Sequence, residues 1–160
     1  MLNLLFLCTH NSARSILGEI VTNTRSKGKF KAFSAGSTPS GTVNKFAYRI
    51  ASAYGYPRNR LSSKSLDEFS KNNAPKIDLV ITVCDSAAKE ACPVWIGGPG
   101  NVHWGFSDPS DQGNNGEETH SAFNTVAKEI ERRITTIVRT DINNYSSEEL
   151  ILLFNEVKNK

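Results

Sequence analysis

The sequence predicts an α/β domain, a mostly parallel sheet with helices packed on both faces. Three observations point there. Short, nearly unbroken apolar runs alternate with stretches of helical periodicity. Strand–helix–strand order requires crossovers, and crossovers make neighbouring strands parallel. One hundred and sixty residues make one domain's length of chain, without internal repeats or a linker composition. Residues 1–160 therefore read as a single domain.

The elements follow in order. Residues 2–7, 30–34, 77–83 and 102–106 read as strands, the first and third apolar throughout, as strands buried on both faces are. Residues 13–25, 44–54, 65–70, 86–91 and 117–139 read as helices. The segment SDPSDQGNNG at 107–116 is a loop by composition. Residues 141–160 form a tail, in which Ser146 caps EELILLFNEV, an amphipathic helix expected to dock on the domain. The opening MLNLLFL carries no basic leader and no small-residue cleavage site, so it reads as the first strand.

Composition narrows the function. Apolar residues make up 38% and charged residues 22%, ordinary for a globular chain and unlike the signature of disorder. Nineteen Lys and Arg against sixteen Asp and Glu leave +3, too small and too evenly spread to argue for nucleic acid or a membrane surface. No apolar run approaches the roughly 20 residues of a bilayer span. Three cysteines, Cys8, Cys84 and Cys92, are an odd count. That argues against a disulfide framework and for thiol chemistry in a cytoplasmic chain. His10, His103 and His120 show no paired-ligand spacing, so no metal and no bound cofactor are expected, and the chain is read as a monomer.

The chemistry concentrates in LLFLCTHNSARSILGE. Cys8 falls at the carboxyl end of the first strand, in a short loop that opens a helix, which is where open α/β sheets bind ligands. Free amides at a helix N-terminus and the helix dipole make an anion site. Five residues, Thr9, His10, Asn11, Ser12 and Ala13, separate Cys8 from Arg14. That spacing lets the loop curl around a tetrahedral oxyanion, with the sulfur beneath and the guanidinium gripping two oxygens. The same field favours a thiolate, so Cys8 reads as a nucleophile. Ser15 can donate a hydrogen bond to the sulfur, and Asn11 suits a left-handed turn within the loop.

With strand before and helix after, CTHNSARS resembles the phosphate loop of the low-molecular-weight protein tyrosine phosphatase superfamily. FSAG at 33–36 and the DP pair Asp108–Pro109 fall in the matching order, and the resemblance covers nearly the whole chain. It implies a three-layer fold, a four-stranded parallel sheet flanked by helices, with Asp108 as general acid. A carboxylic acid carried over an anion site by a Gly-rich loop is also what cleavage at phosphate or arsenate requires.

Within the superfamily, LVITVCDSAAKEACPVW and HWGFSDPS resemble the arsenate reductase branch. The resemblance implies a relay. Cys8 attacks arsenate, Cys84 resolves the adduct as arsenite leaves, and Cys92 takes over the disulfide and presents it to thioredoxin or a glutaredoxin-type reductant. Ser110 follows the DP pair where tyrosine phosphatases of the superfamily present an aromatic residue, which suits a small oxyanion. Some members carry a fourth cysteine in the phosphate loop, where this chain has Ala13. Many bind potassium beside the loop, where this chain places Lys64 and Ser65. An ammonium there can stand in for the cation, contacting Asn11 and Ser34, while Asp67 leaves a metal open. If DSAAKEA is helical in the reduced chain, Cys84 and Cys92 lie about 12 Å apart along its axis. The segment must then unwind before the two can join, because a disulfide requires Cα atoms within about 7 Å. Two other readings stand beside the reductase: a tyrosine phosphatase using Cys8, Arg14 and Asp108, and a non-catalytic thiol redox sensor.

Overall fold

A computed structural model describes residues 1–85 and 100–160. The helix expected at 86–91, and Cys92 with it, lie outside the described residues. Four strands, β1 (Leu2–Cys8), β2 (Phe30–Gly36), β3 (Leu79–Thr82) and β4 (Gly100–His103), form one sheet in the order β2-β1-β3-β4. Every pairing is parallel, with Leu7 opposite Ala35 on one side and opposite Thr82 on the other. The helices are α1 (Arg14–Arg25), α2 (Lys45–Tyr54), α3 (Gly116–Val138) and α4 (Ser147–Glu156). The α/β class read from the sequence, a four-stranded parallel sheet with flanking helices, is the fold of the chain.

β1 is central, and its apolar run is explained by burial on both faces. Leu4 and Phe6 join the large core with α1, α2, α3 and α4, while Leu5 and Leu7 face a smaller cluster with Ala35, Ile77 and Val80. Among the described residues, Leu66 and Phe69 of a 3-10 helix at Leu66–Ser70 cover that second face. The sequence reading made this stretch helical, and it is 3-10 rather than α. Five residues are too few for α-helical nucleation, and Ser65 caps the tighter turn by accepting from Asp67 N–H.

Two strand limits also differ from the periodicity. β3 starts at Leu79 because Asp78 uses its side chain and amide to bond Asn3. β4 runs 100–103 rather than 102–106, and the chain then turns Trp104 into the core, against Phe6 and Phe154. The edge of β2 is closed by a side chain, since Asn23 both donates to Ala32 C=O and accepts from Ala32 N–H, each at 2.9 Å. α4 opens with a reciprocal capping box between Ser146 and Glu149. It packs on β4, with Phe154 fully buried and its carbonyl accepting from Trp104 Nε1 at 2.8 Å. No described helix is long and apolar enough to cross a membrane.

Candidate active site

β1 ends at Cys8, 3% exposed, and α1 begins at Arg14, so the loop between them sits at the carboxyl edge of the sheet. Its carbonyls are tied to the stretch after β2. Cys8, Thr9, His10 and Ser12 accept from the amides of Ser37, Thr38, Ser40 and Asn44 at 2.8–3.2 Å. Gly36 makes that approach possible, because a Cβ there would lie 2.5 Å from Thr9 O and 3.0 Å from Asn11 N. Asn11 adopts the left-handed conformation, φ 46°, expected of it.

Hydrogen-bond directions around the sulfur follow from the partners. Lys64 N–H donates to Asn11 Oδ1 at 2.9 Å, which turns Asn11 Nδ2 toward Ser15 Oγ at 2.8 Å. Ser15 Oγ therefore accepts from Asn11, and its own proton is directed at Cys8 Sγ, 2.9 Å away. Asn11 N–H is a second donor to the sulfur at 3.2 Å. Two donors on one sulfur are what a thiolate accepts, and Ser15 and Asn11 are both fully buried.

Arg14, 5% exposed, couples this loop to the acidic one. Its Nη1 donates to Phe106 O at 3.0 Å, and its Nη2 lies 3.5 Å from Asp108 Oδ2. Asp108 holds its own turn too, because Oδ1 accepts from Ser110 N–H at 3.0 Å and Ser110 Oγ at 2.7 Å. One carboxylate oxygen thus shapes a 3-10 turn while the other faces the guanidinium. An open cleft of about 510 Å³ runs between His10, Arg14 and Asp108, with Asp85, Ser107, Asp111 and Gln112 completing its described lining.

Lys64 sits beside the loop, as the sequence reading placed it, but its contacts differ. Its ammonium is 3.5 Å from Ser34 Oγ and donates to Ser62 O at 3.0 Å. The contact with Asn11 comes from its main-chain N–H instead. The group facing the ammonium is Glu19, 3.9 Å away and 6% exposed, a residue the sequence reading missed. Ser34 and Tyr56 donate to Glu19 at 2.5 and 3.1 Å. Burial raises the Glu19 carboxyl, opposed by Lys64, and burial likewise lowers the Lys64 ammonium, opposed by Glu19. Tyr56 is pushed up to about 12, by burial first and then by the Glu19 charge. Asp67 is exposed, in the neighbouring 3-10 turn. Among the described residues no cluster of His, Cys, Asp and Glu has the makings of a metal site.

The second cysteine lies just beyond the strand next to β1. Cys84 follows β3 by two residues, is fully buried, and is disulfide-bonded, whereas Cys8 is a free thiol. The ladder from β1 continues toward it, Val83 N–H donating to Leu7 O at 3.0 Å.

Comparison with known proteins agrees with this geometry. An arsenate reductase of Halalkalibacterium halodurans is 34% identical over 135 residues, which cover 84% of this chain and 94% of the relative. An arsenate reductase of Bacillus subtilis is 33% identical over the same shares. The solved arsenate reductase of Archaeoglobus fulgidus superposes with a TM-score of 0.67 at 27% identity, covering 86% of this chain and 99% of that one. The family model described as low molecular weight phosphotyrosine protein phosphatase matches residues 3–147, from β1 to the first residue of α4, and the chain belongs to that family.

Proposed function

We propose that the chain reduces arsenate to arsenite, with Cys8 as nucleophile, Cys84 as resolving thiol and Cys92 as outlet to a thioredoxin-type dithiol. The observation that carries the reading is the second thiol, at the end of the strand beside the one that delivers Cys8. Phosphate hydrolysis needs only the first. The relatives named arsenate reductase, matched over 94% of their length, support the same choice.

In the proposed sequence the Cys8 thiolate attacks arsenic, and one oxygen leaves as water, protonated by Asp108. Arg14 and the loop amides hold the remaining oxygens. Cys84 then attacks Cys8 Sγ. The sulfur–arsenic bond breaks with its electron pair passing to arsenic, which leaves as arsenite in the +3 state, and a Cys8–Cys84 disulfide remains. Cys92 attacks Cys84, releasing Cys8 as a thiolate, and the external dithiol supplies two electrons to reduce the last disulfide. Cys8 free and Cys84 disulfide-bonded is compatible with the end of that sequence.

The test is arsenite formation with thioredoxin, thioredoxin reductase and NADPH, beside hydrolysis of an aryl phosphate. Cys84→Ser and Cys92→Ser should each stop arsenate turnover and leave aryl phosphate hydrolysis largely intact. Normal arsenate turnover in either variant would return the assignment to a phosphatase using Cys8, Arg14 and Asp108.

A further inference from the structure

The buried face of α3 is apolar at helical spacing, with Phe123, Val126, Ala127, Ile130, Ile134 and Ile137 turned inward. Arg133 breaks that stripe and is 7% exposed. Its hydrogen bonding does not account for the position. Nε donates to Glu129 at 2.8 Å, but Glu129 is 34% exposed and already takes two bonds from Arg132. Among the described residues, Arg133 Nη1 is buried without a hydrogen-bond partner. A buried charge with an unmet donor costs stability, and an apolar side chain of similar volume often does better in such a place. Stability alone gives no reason for an arginine here.

The guanidinium is spent on aromatic rings. Its carbon lies 4.7 Å from the centre of the Phe106 ring and 5.3 Å from the centre of the Trp104 ring. Guanidinium groups stack on such faces, most strongly where water is excluded. Trp104 is the fixed partner. It is fully buried, packs against Phe6 and Phe154, and donates from Nε1 to Phe154 O. Phe106 lies beyond β4 and two residues before Asp108, and its carbonyl accepts from Arg14 Nη1 at 3.0 Å. Two guanidiniums thus meet on one residue, Arg133 at its ring and Arg14 at its carbonyl.

We propose that Arg133 is a positioning residue for oxyanion binding. By bridging the Phe106 ring to the fixed Trp104 ring, it holds the Phe106 carbonyl where Arg14 donates to it, and so sets the direction of the Arg14 fork. The inference rests on the anion-loop assignment, which the reductase and phosphatase readings share, and is independent of the relay.

The experiment pairs calorimetric titration of reduced protein with inorganic phosphate and urea unfolding of the same samples. Arg133→Met keeps the volume and removes the charge and the stack. Phosphate affinity should fall about 10-fold, within what a desolvated guanidinium–ring contact can supply. The urea midpoint should hold or rise, because the unmet donor is gone and Glu129 keeps Arg132. Phe106→Leu leaves the carbonyl and removes the ring, so it should weaken phosphate by a similar factor. The double variant should bind no more weakly than the weaker single one, since both cut the same connection. Arg133→Lys still offers the ring a cation and should recover part of the affinity. Parent-like affinity in Arg133→Met would overturn the proposal, as would affinity and stability lost together or losses that multiply in the double variant. A parent that binds no phosphate would mark a deeper failure, that of the anion loop itself.

Discussion

The exits of β1 and β3 lie side by side and are built by opposite means. After Cys8 the main chain does the work. Four loop carbonyls are tied to residues 37–44, Gly36 permits the approach, and amide and hydroxyl donors converge on the sulfur. After Thr82 the described ladder bonds run from Val83 N–H to Leu7 O and from Trp104 N–H to Thr82 O, and the neighbouring side chains include titratable ones, His103 bonded to Thr82 with Asp85 and Lys158 acting on its ring. A site that holds one tetrahedral anion gains from groups that do not move or titrate, because prepositioned dipoles need no reorganisation when charge arrives. A site whose thiol must change protonation and then bonding partner needs groups that can change with it. Under the proposed relay, the difference between the two exits is a division between binding and electron transfer.

The comparison is tested hardest at Cys8. Cys8→Ser puts a hydroxyl that does not ionise at neutral pH under the same donors, so arsenate reduction and aryl phosphate hydrolysis should both disappear. Retention of either, measured on the purified variant, would take the β1 exit out of the chemistry. A smaller effect is expected at Arg14. Lysine keeps the charge and loses the planar fork that meets Phe106 O and the Asp108 carboxylate together. Phosphate titration should show affinity weakened by about 30-fold, the equivalent of about 2 kcal/mol for a charge-assisted bidentate contact. Unchanged affinity would mean that the loop amides alone hold the anion.

What the sequence disclosed about these two exits depended on how local each feature is. Cys8, Asn11, Arg14 and Ser15 lie within eight consecutive residues, so their spacing between a strand and a helix already implied a closed anion loop. β1 and β3 were legible from unbroken apolar runs, and their pairing sets the two strand exits, with Cys8 on one and Cys84 on the other, at the same edge of the sheet. Three features were not legible. Glu19 looks like any acidic residue on α1 until β2 delivers Ser34, and α2 with the turn after it delivers Tyr56. Phe106 binds Arg14 through its carbonyl, which leaves no trace in side-chain identity. The contact between Thr82 and His103 depends on the register of β3 against β4, which local periodicity does not encode. The expected unwinding between Cys84 and Cys92 falls outside the described residues.

The smallest predicted effect sharpens the view that the β1 exit is held by fixed, non-titrating groups, because Lys64 and Glu19 stand just behind it. Lys64 supports the loop in two ways. Its amide fixes Asn11, and its ammonium, 21% exposed, offsets the Glu19 charge. Lys64→Met leaves the amide in place and removes only the ammonium. Burial already raises the Glu19 carboxyl, and Lys64 is the largest influence lowering it, so the variant should raise it further. The sign follows from proton counting. A carboxyl whose folded pKa lies above its unfolded one binds more protons folded than unfolded between the two values, so stability falls as pH rises through that window. The variant should therefore lie closest to the parent at low pH and lose stability as pH rises, by about 2 kcal/mol at pH 8. That is below the penalty of orphaning a fully buried charge, because Ser34 and Tyr56 still donate to Glu19 and the ammonium it loses was partly solvated. Urea unfolding at pH 5, 6.5 and 8 reads the effect directly. Because the Asn11 contact survives, aryl phosphate hydrolysis at pH 6 should change by less than about threefold, well under 1 kcal/mol. A deficit that is flat with pH would show that the ammonium acts by packing rather than by charge, and a large loss of hydrolysis at pH 6 would show that the donors on the Cys8 sulfur depend on a titrating pair after all.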